Sequence, residues 1–198
     1  MNLYCFNLKE AERTLAKSPV IKEVKLDLWP PGTLHVEYSL RSPIAYLYDY
    51  QNAAIDEEGV IFPIAPFFTP KNLPEIYLGK ENISSWGTQL QGKSIELAME
   101  LLHFFSMPEQ QKTLNVSRID LSFAFSENSG QRQIILVLRD RSDNNRKLGG
   151  ERTLRLNASN YVREINNYLL LRECLLKKEQ EMIIDFRLPQ LAFIKPQL

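Results

Sequence analysis

Apolar and polar positions alternate along this chain with two different periods, and the switches between them mark its elements. Over residues 20–28, Val20, Val24, Leu26 and Leu28 alternate with Lys25 and Asp27, the pattern of a strand with one buried and one wet face. Pro30, Pro31 and Gly32 stop the run with two fixed φ angles, two missing amide donors and then a residue free to turn. Leu34, Val36 and Tyr38 resume the alternation against His35 and Glu37, which predicts an antiparallel hairpin with one apolar face. Trp29, beside Pro30, is expected to pack at the hairpin end. Upstream, Leu8, Ala11, Leu15 and Ala16 recur at helical spacing among charges, and Pro19 ends the pattern. This predicts a short amphipathic helix laid on the hairpin.

After Pro43 the character of the chain changes. Residues 44–50 are aromatic and strand-like, and residues 53–64 read as a hairpin closed at Glu58 and Gly59. Pro63, Pro66 and Pro70 then keep residues 62–72 extended or looped. Ser94 is the expected N-cap of a helix over 95–106, with Ile95, Ala98, Leu102 and Phe105 in one stripe, Met99 and Leu101 widening it, and Pro108 as the stop. A second helix is read from Ser159 to about Lys178 on Tyr161, Ile165, Tyr168, Leu169, Arg172 and Leu176. Between them lie expected strands at 116–125, 133–139 and 151–156, with polar turns at 128–130 and 140–150. Residues 182–194 are read as one last strand, with Pro189 fitting best at an edge or bulge.

The order of these pieces resembles the FtsQ family of bacterial cell-division proteins, called DivIB in Gram-positive bacteria. Asn2-Leu3-Tyr4, the first helix, Ser18-Pro19-Val20-Ile21, Leu28-Trp29-Pro30, Thr33-Leu34-His35-Val36 and Arg41-Ser42-Pro43-Ile44-Ala45 resemble that family's POTRA domain. Asp56-Glu57-Glu58-Gly59-Val60-Ile61-Phe62 is similar to its "D-x-x-G-x-x-F" hairpin, Leu73-Pro74-Glu75-Ile76 to its "LP-x-(I/L)" segment, and Ile184-Asp185-Phe186-Arg187 to a late strand. The residue before Arg41, usually glutamate in the family, is Leu40 here. The resemblance implies an α+β chain: a truncated POTRA domain over residues 1–42, helix on hairpin, then an FtsQ-type β domain over 43–198, a bent antiparallel sheet with flanking helices. It also implies a noncatalytic divisome scaffold on the periplasmic face of the inner membrane at the septum. In the family the last strands recruit the membrane-proximal segment of FtsB or DivIC, which comes paired with FtsL. The positions carried over are Phe186, Leu188, Gln190, Ala192 and Phe193. The alternative is a POTRA-type chaperone or docking module of an outer-membrane assembly or secretion system, a class that usually repeats the unit or fuses it to a barrel.

Composition narrows the chemistry. The 198 residues carry 24 basic and 24 acidic side chains, so no general field attracts nucleic acid or an anionic membrane surface. A chain of this size buries roughly 70% of its unfolded surface and needs no staples. Cys5 and Cys174 are too few for a disulfide scaffold and lack metal spacing. His35 and His103 sit in a strand and a helix without a Cys/His cluster, and Asp56, Glu57 and Glu58 before a glycine read as a solvated turn. Asp120 with Arg118, and Asp185 with Arg187, read as same-face charge pairs. No catalytic, cofactor or metal residue is assigned.

The family begins with a cytoplasmic tail, a transmembrane helix and the first POTRA strand and helix, and the match here starts inside that domain. The genomic DNA upstream of Met1 is therefore expected to encode, in frame, an apolar helix of about 20 residues preceded by basic residues. An in-frame stop immediately before Met1 would count against the resemblance.

Overall fold

In the computed structural model, which describes residues 7–69, 72–79, 85–140, 150–175 and 180–196, the period-two runs build two separate sheets. Strands β1 (Ile21–Trp29) and β2 (Thr33–Leu40) form an antiparallel hairpin. Helix α1 (Leu8–Ala16) starts at Asn7, whose side chain accepts the Glu10 amide. It lies against β1, where Glu12 Oε1 accepts the Leu26 amide at 2.8 Å. Leu26 is buried, while Val36, Tyr38 and Leu40 on the same face of β2 stay exposed. The helix therefore covers only half of the hairpin's apolar face. Trp29 does not pack at the hairpin end: it is 55% exposed and stacks on His35 with ring centroids 4.5 Å apart. Its register places it on the polar face, opposite to that of Leu26.

The second sheet holds the remaining strands: β3 (Ala45–Leu47), β4 (Ala53–Ile55), β5 (Ile61–Pro63), β6 (Glu75–Tyr77), β7 (Leu114–Asp120), β8 (Ile134–Asp140), β9 (Glu151–Leu156), β10 (Met182–Asp185) and β11 (Phe193–Pro196). Their order is β11-β10-β9-β8-β7-β6-β3-β4-β5. The sheet is mixed rather than antiparallel, because β3 with β6, β6 with β7, and β9 with β10 run parallel. Hairpins give only antiparallel neighbours, whereas a connection through a helix returns the chain in its original direction. Helices α2 (Lys93–Ser106) and α3 (Pro108–Thr113) make that return between β6 and β7, and α4 (Tyr161–Leu175) makes it between β9 and β10.

Local chemistry explains several element ends. Helix α2 begins two residues earlier than expected, with Gly92 at φ 118° as N-cap and no side-chain cap bond, so Ser94 lies inside the helix. Pro108 ends α2 and is also the first residue of α3, where its missing N–H is harmless. Strand β7 stops at Asp120, short of the expected Phe125, because the Asp120 carboxylate accepts from the Ser122 amide and hydroxyl and turns the chain. The expected helix positions beyond Leu175 and the turn beyond Asp140 fall on residues 176–179 and 141–149, outside the described residues.

One face of the sheet carries the core. Leu47, Ile76, Ile119, Ile134, Leu136, Leu138, Leu154, Leu156 and Ile184 pack with Ile95, Ala98 and Leu101 of α2 and with Ile165, Tyr168 and Leu175 of α4. A smaller cluster of Val20, Ala54, Phe62 and Ile64 joins the hairpin unit to the sheet. Beside it Arg41 contacts Asp56 at 2.6 Å, and Lys22 reaches Glu57 at 3.0 Å and Glu58 at 3.1 Å. The acidic turn is thus only partly solvated. Asp56 is buried and also accepts the Glu58 and Val60 amides. No described helix is long and apolar enough to cross a membrane.

The core also contains charge. Alternation along β8 and β9 puts Asp140 and Arg152 on the buried face, both fully buried. The Tyr168 hydroxyl donates to Asp140 Oδ2 at 2.8 Å, while Arg172 Nε lies 3.5 Å and Arg152 Nε 3.9 Å from its oxygens. Arg152 donates onward to the carbonyls of Leu175 and Gln180. Burial first, and then the neighbouring Asp140 carboxylate, push the Tyr168 phenol far above its ordinary value, so it stays protonated and donates.

Asp140→Asn keeps the shape but leaves two arginines facing a neutral group in a dry site. The variant is expected to lose about 3–5 kcal/mol in urea unfolding of the whole chain with an unchanged m value. A loss under about 1 kcal/mol would mean that the arginines do not depend on this carboxylate.

Candidate partner-binding edge

Among the described residues the final hairpin presents a strand with one unpaired edge, and its register shows which groups lie on that edge. The Phe186 amide donates to the Arg155 carbonyl of β9 at 2.9 Å, so Met182, Ile184 and Phe186 turn their backbone groups toward β9. Ile183 and Asp185 then face β11, opposite Lys195 and Phe193. Ile194 is left with its N–H and C=O directed away from β10. Strand β11 is the last in the sheet order, no described strand pairs with its outer side, and all of its residues are exposed. The Ile194 side chain shares the helix-covered face with Ile184, while Phe193 and Lys195 share the other face with Asp185 and Ile183.

The expected single strand over 182–194 is therefore two short strands and a turn. Asp185 ends β10: its carboxylate accepts the Arg187 amide at 3.1 Å and the Arg187 guanidinium at 2.8–3.2 Å, and Arg155 lies 3.3 Å away. Pro189 has no amide to continue a ladder, and Gln190 takes φ 63° as the chain reverses. Of the five positions assigned from sequence, Phe186 is buried in the main core, and Leu188, Gln190 and Ala192 are exposed in the connection. Only Phe193 lies on β11.

Sequence reasoning missed two parts of this region. One is Ile194, whose outward backbone depends on a register that only tertiary pairing reveals. The other is a groove of about 600 Å³ between α4 and the turn, lined by Asn160, Arg163, Asn167, Leu170, Leu188 and Leu191 among others. Arg163, Asn167 and Leu170 recur at 3-4 spacing on the side of α4 away from the core stripe, a signal present in the sequence. Leu170 is 79% exposed, and Leu188, Leu191 and Ile194 add further exposed apolar surface. Glu164 backs the groove. Burial pushes its carboxyl above the ordinary range and Asp185 adds to that, against a hydrogen bond from the Asn157 amide at 2.7 Å.

Titratable groups elsewhere sit in structural contacts. His35 stacks on Trp29, and His103 is exposed on α2. Arg118 pairs with Glu75 at 3.0 Å rather than with Asp120, whose oxygen is taken by Ser122. Among the described residues no group of three or more His, Cys, Asp or Glu side chains could hold a metal ion. Cys174 is a free, exposed thiol on α4, and Cys5 lies outside the described residues. No protein-family model matches the chain, and no curated protein matches it.

The Asp185–Arg187 contact gives the turn a pH dependence. Partial burial disfavours the Asp185 carboxylate, but the side-chain and backbone hydrogen bonds from Arg187, helped by the charges of Arg187 and Arg155, outweigh it and hold the carboxyl below its ordinary value. A depressed carboxyl contributes stability that is present above the unfolded value of about 3.9 and is lost as pH falls through the folded value. Thermal melts should therefore separate wild type from Asp185→Asn fully at neutral pH and progressively less below about pH 4. A separation that stays constant down to pH 2 would show that the contact carries no charge-dependent stability.

Proposed function

We propose that this chain is a noncatalytic division scaffold, the extracytoplasmic part of an FtsQ-like protein. In this reading the hairpin unit is a truncated POTRA domain, and the mixed sheet with its helices is the FtsQ-type β domain. It works on the periplasmic side of the inner membrane at the septum and docks an FtsB- or DivIC-like protein together with its FtsL-like partner. The observation that carries the reading is the open edge of β11, the last described strand and the outermost of the sheet. An added strand gains affinity from backbone hydrogen bonds at Ile194 and selectivity from alternate side chains. Phe193 and Lys195 meet it on one face, and Ile194 with the neighbouring groove meets it on the other. The sequence order of the motifs and the position of the Asp185–Arg187 turn support the same assignment.

A labelled peptide covering the membrane-proximal segment of an FtsB- or DivIC-type protein encoded in the same genome tests this by titration against the full chain. Ile194→Pro removes the outward amide and fixes φ without breaking a β10–β11 hydrogen bond. Affinity should fall about tenfold or more, since one lost hydrogen bond of about 0.5–1.5 kcal/mol adds to the strain imposed on the pairing strand. Leu188→Lys should weaken binding separately by placing a charge beside the groove. Undiminished binding by Ile194→Pro with an intact melt would move the partner away from this edge.

A further inference from the structure

Glu164 is a carboxylate that the fold buries and only half uses. It is 7% exposed, and one of its oxygens, Oε2, accepts the Asn157 amide at 2.7 Å. The other, Oε1, has no partner among the described residues and is not sealed in the interior, so it opens into the groove between α4 and the turn, which Glu164 lines. The arginines of the groove do not satisfy it. The Arg187 guanidinium is held by Asp185 of β10, and Arg163, next to Glu164 on α4, is exposed and forms no ion pair with a described residue. Asp185 instead adds its negative charge to burial in holding the Glu164 carboxyl above its ordinary value. A carboxylate this far out of water, with one open oxygen, is costly until a donor fills the place.

The walls of the groove specify that donor. Leu170, Leu188 and Leu191 give it exposed apolar sides, which suit a long aliphatic stem carrying its polar tip to Glu164. Among side chains only lysine and arginine combine such a stem with a cation. Arginine meets a carboxylate best as a fork on both oxygens, and Oε2 is already engaged by the Asn157 amide. A lysine ammonium is a compact charge for which Oε1 alone is a strong acceptor. The side-chain carbonyls of Asn160 and Asn167, which line the same groove and bond no described residue, offer places for its remaining protons. We propose that the groove takes a lysine side chain of the segment docked on β11, with the ammonium on Glu164 and the stem against Leu170, Leu188 and Leu191. The assignment rests on the docking reading above and adds to it a charge that selects the partner, where backbone pairing at Ile194 supplies affinity without selecting a side chain.

The labelled FtsB- or DivIC-type peptide, titrated against the full chain as a set in which each lysine and each arginine in turn is replaced by methionine, tests the assignment. Methionine keeps most of the stem and removes the charge. One lysine replacement should weaken binding to wild type at least about tenfold, roughly the 1.4 kcal/mol that one decade represents, yet change binding to Glu164→Gln by less than about threefold. Glu164→Gln keeps an oxygen for the Asn157 amide, so its melt should match that of wild type. The pH profile on the wild-type chain is a second readout. The ammonium binds the ionised carboxyl, so affinity should fall as pH drops through the Glu164 value, which lies above the ordinary 4.5, and Glu164→Gln should remove that part of the profile. Asp185, held low by Arg187 and Arg155, titrates below this range. A peptide that binds, is weakened by Ile194→Pro and is indifferent both to Glu164→Gln and to every lysine replacement overturns the lysine assignment alone. Coupling of Glu164 to an arginine of the peptide overturns it as well. Failure of the unaltered peptide to bind overturns the docking reading and this inference together.

Discussion

The buried Asp140 carboxylate is the constraint on which the C-terminal half of the molecule depends. It sits at the end of β8 and gathers Tyr168 and Arg172 from α4 and Arg152 from β9. Arg152 then bonds the carbonyl of Leu175, among the last of α4, and that of Gln180, just before β10. This guanidinium, itself fully buried, satisfies the Leu175 carbonyl in a place that water does not reach. A buried ion pair adds little net stability compared with a well-packed apolar core, because desolvation opposes its Coulomb energy. Its value lies in geometry: the contacts tie β8, β9, α4 and the residues just before β10 together where the chain returns parallel to β9. The position of β10 then makes β11 the outer strand, and the proposed partner edge follows from a contact formed at the other end of these strands.

The hairpin unit is attached by a different device. Asp56 folds its own turn by accepting the Glu58 and Val60 amides, and with its other oxygen it receives Arg41 at the end of β2. The cluster of Val20, Ala54, Phe62 and Ile64 lies alongside. A short helix on one hairpin is below the size at which a single core usually suffices, so the larger sheet supports the smaller unit. That support reaches the start of β1 through Val20 and the end of β2 through Arg41.

Much of this was legible in the alternation of residues. Both N-terminal strands, the hairpin around Glu58 and Gly59, the short strands β8 and β9, and the positions of α2 and α4 follow from local periodicity, since each is decided by which face meets the core. Asp140 and Arg152 show where the reading stopped short. Their parity with Leu138 and Leu154 places both side chains inside, yet charge at the border of a polar run reads as turn. The parallel pairings could not be read locally, because a period-two strand looks alike beside either kind of neighbour. The break after Asp185 was visible in Pro189, but its consequence depends on Asp185 capturing the Arg187 amide and on Gln190 accepting a left-handed backbone. The last strand was expected at or near a sheet edge, and the residue whose backbone faces outward there, Ile194, was not named, because register decides it.

Residue-resolved amide hydrogen exchange of the full chain, alone and with the FtsB- or DivIC-type peptide, addresses the central claim most directly. In the free chain the Phe193 and Lys195 amides, turned toward β10, should exchange slowly, while Ile194 should exchange nearly as fast as an unstructured amide. Saturating peptide should protect Ile194 and leave its neighbours little changed. Protection of Ile194 in the free chain, or a bound state in which it still exchanges freely, would contradict the assignment of β11 as the strand-accepting edge.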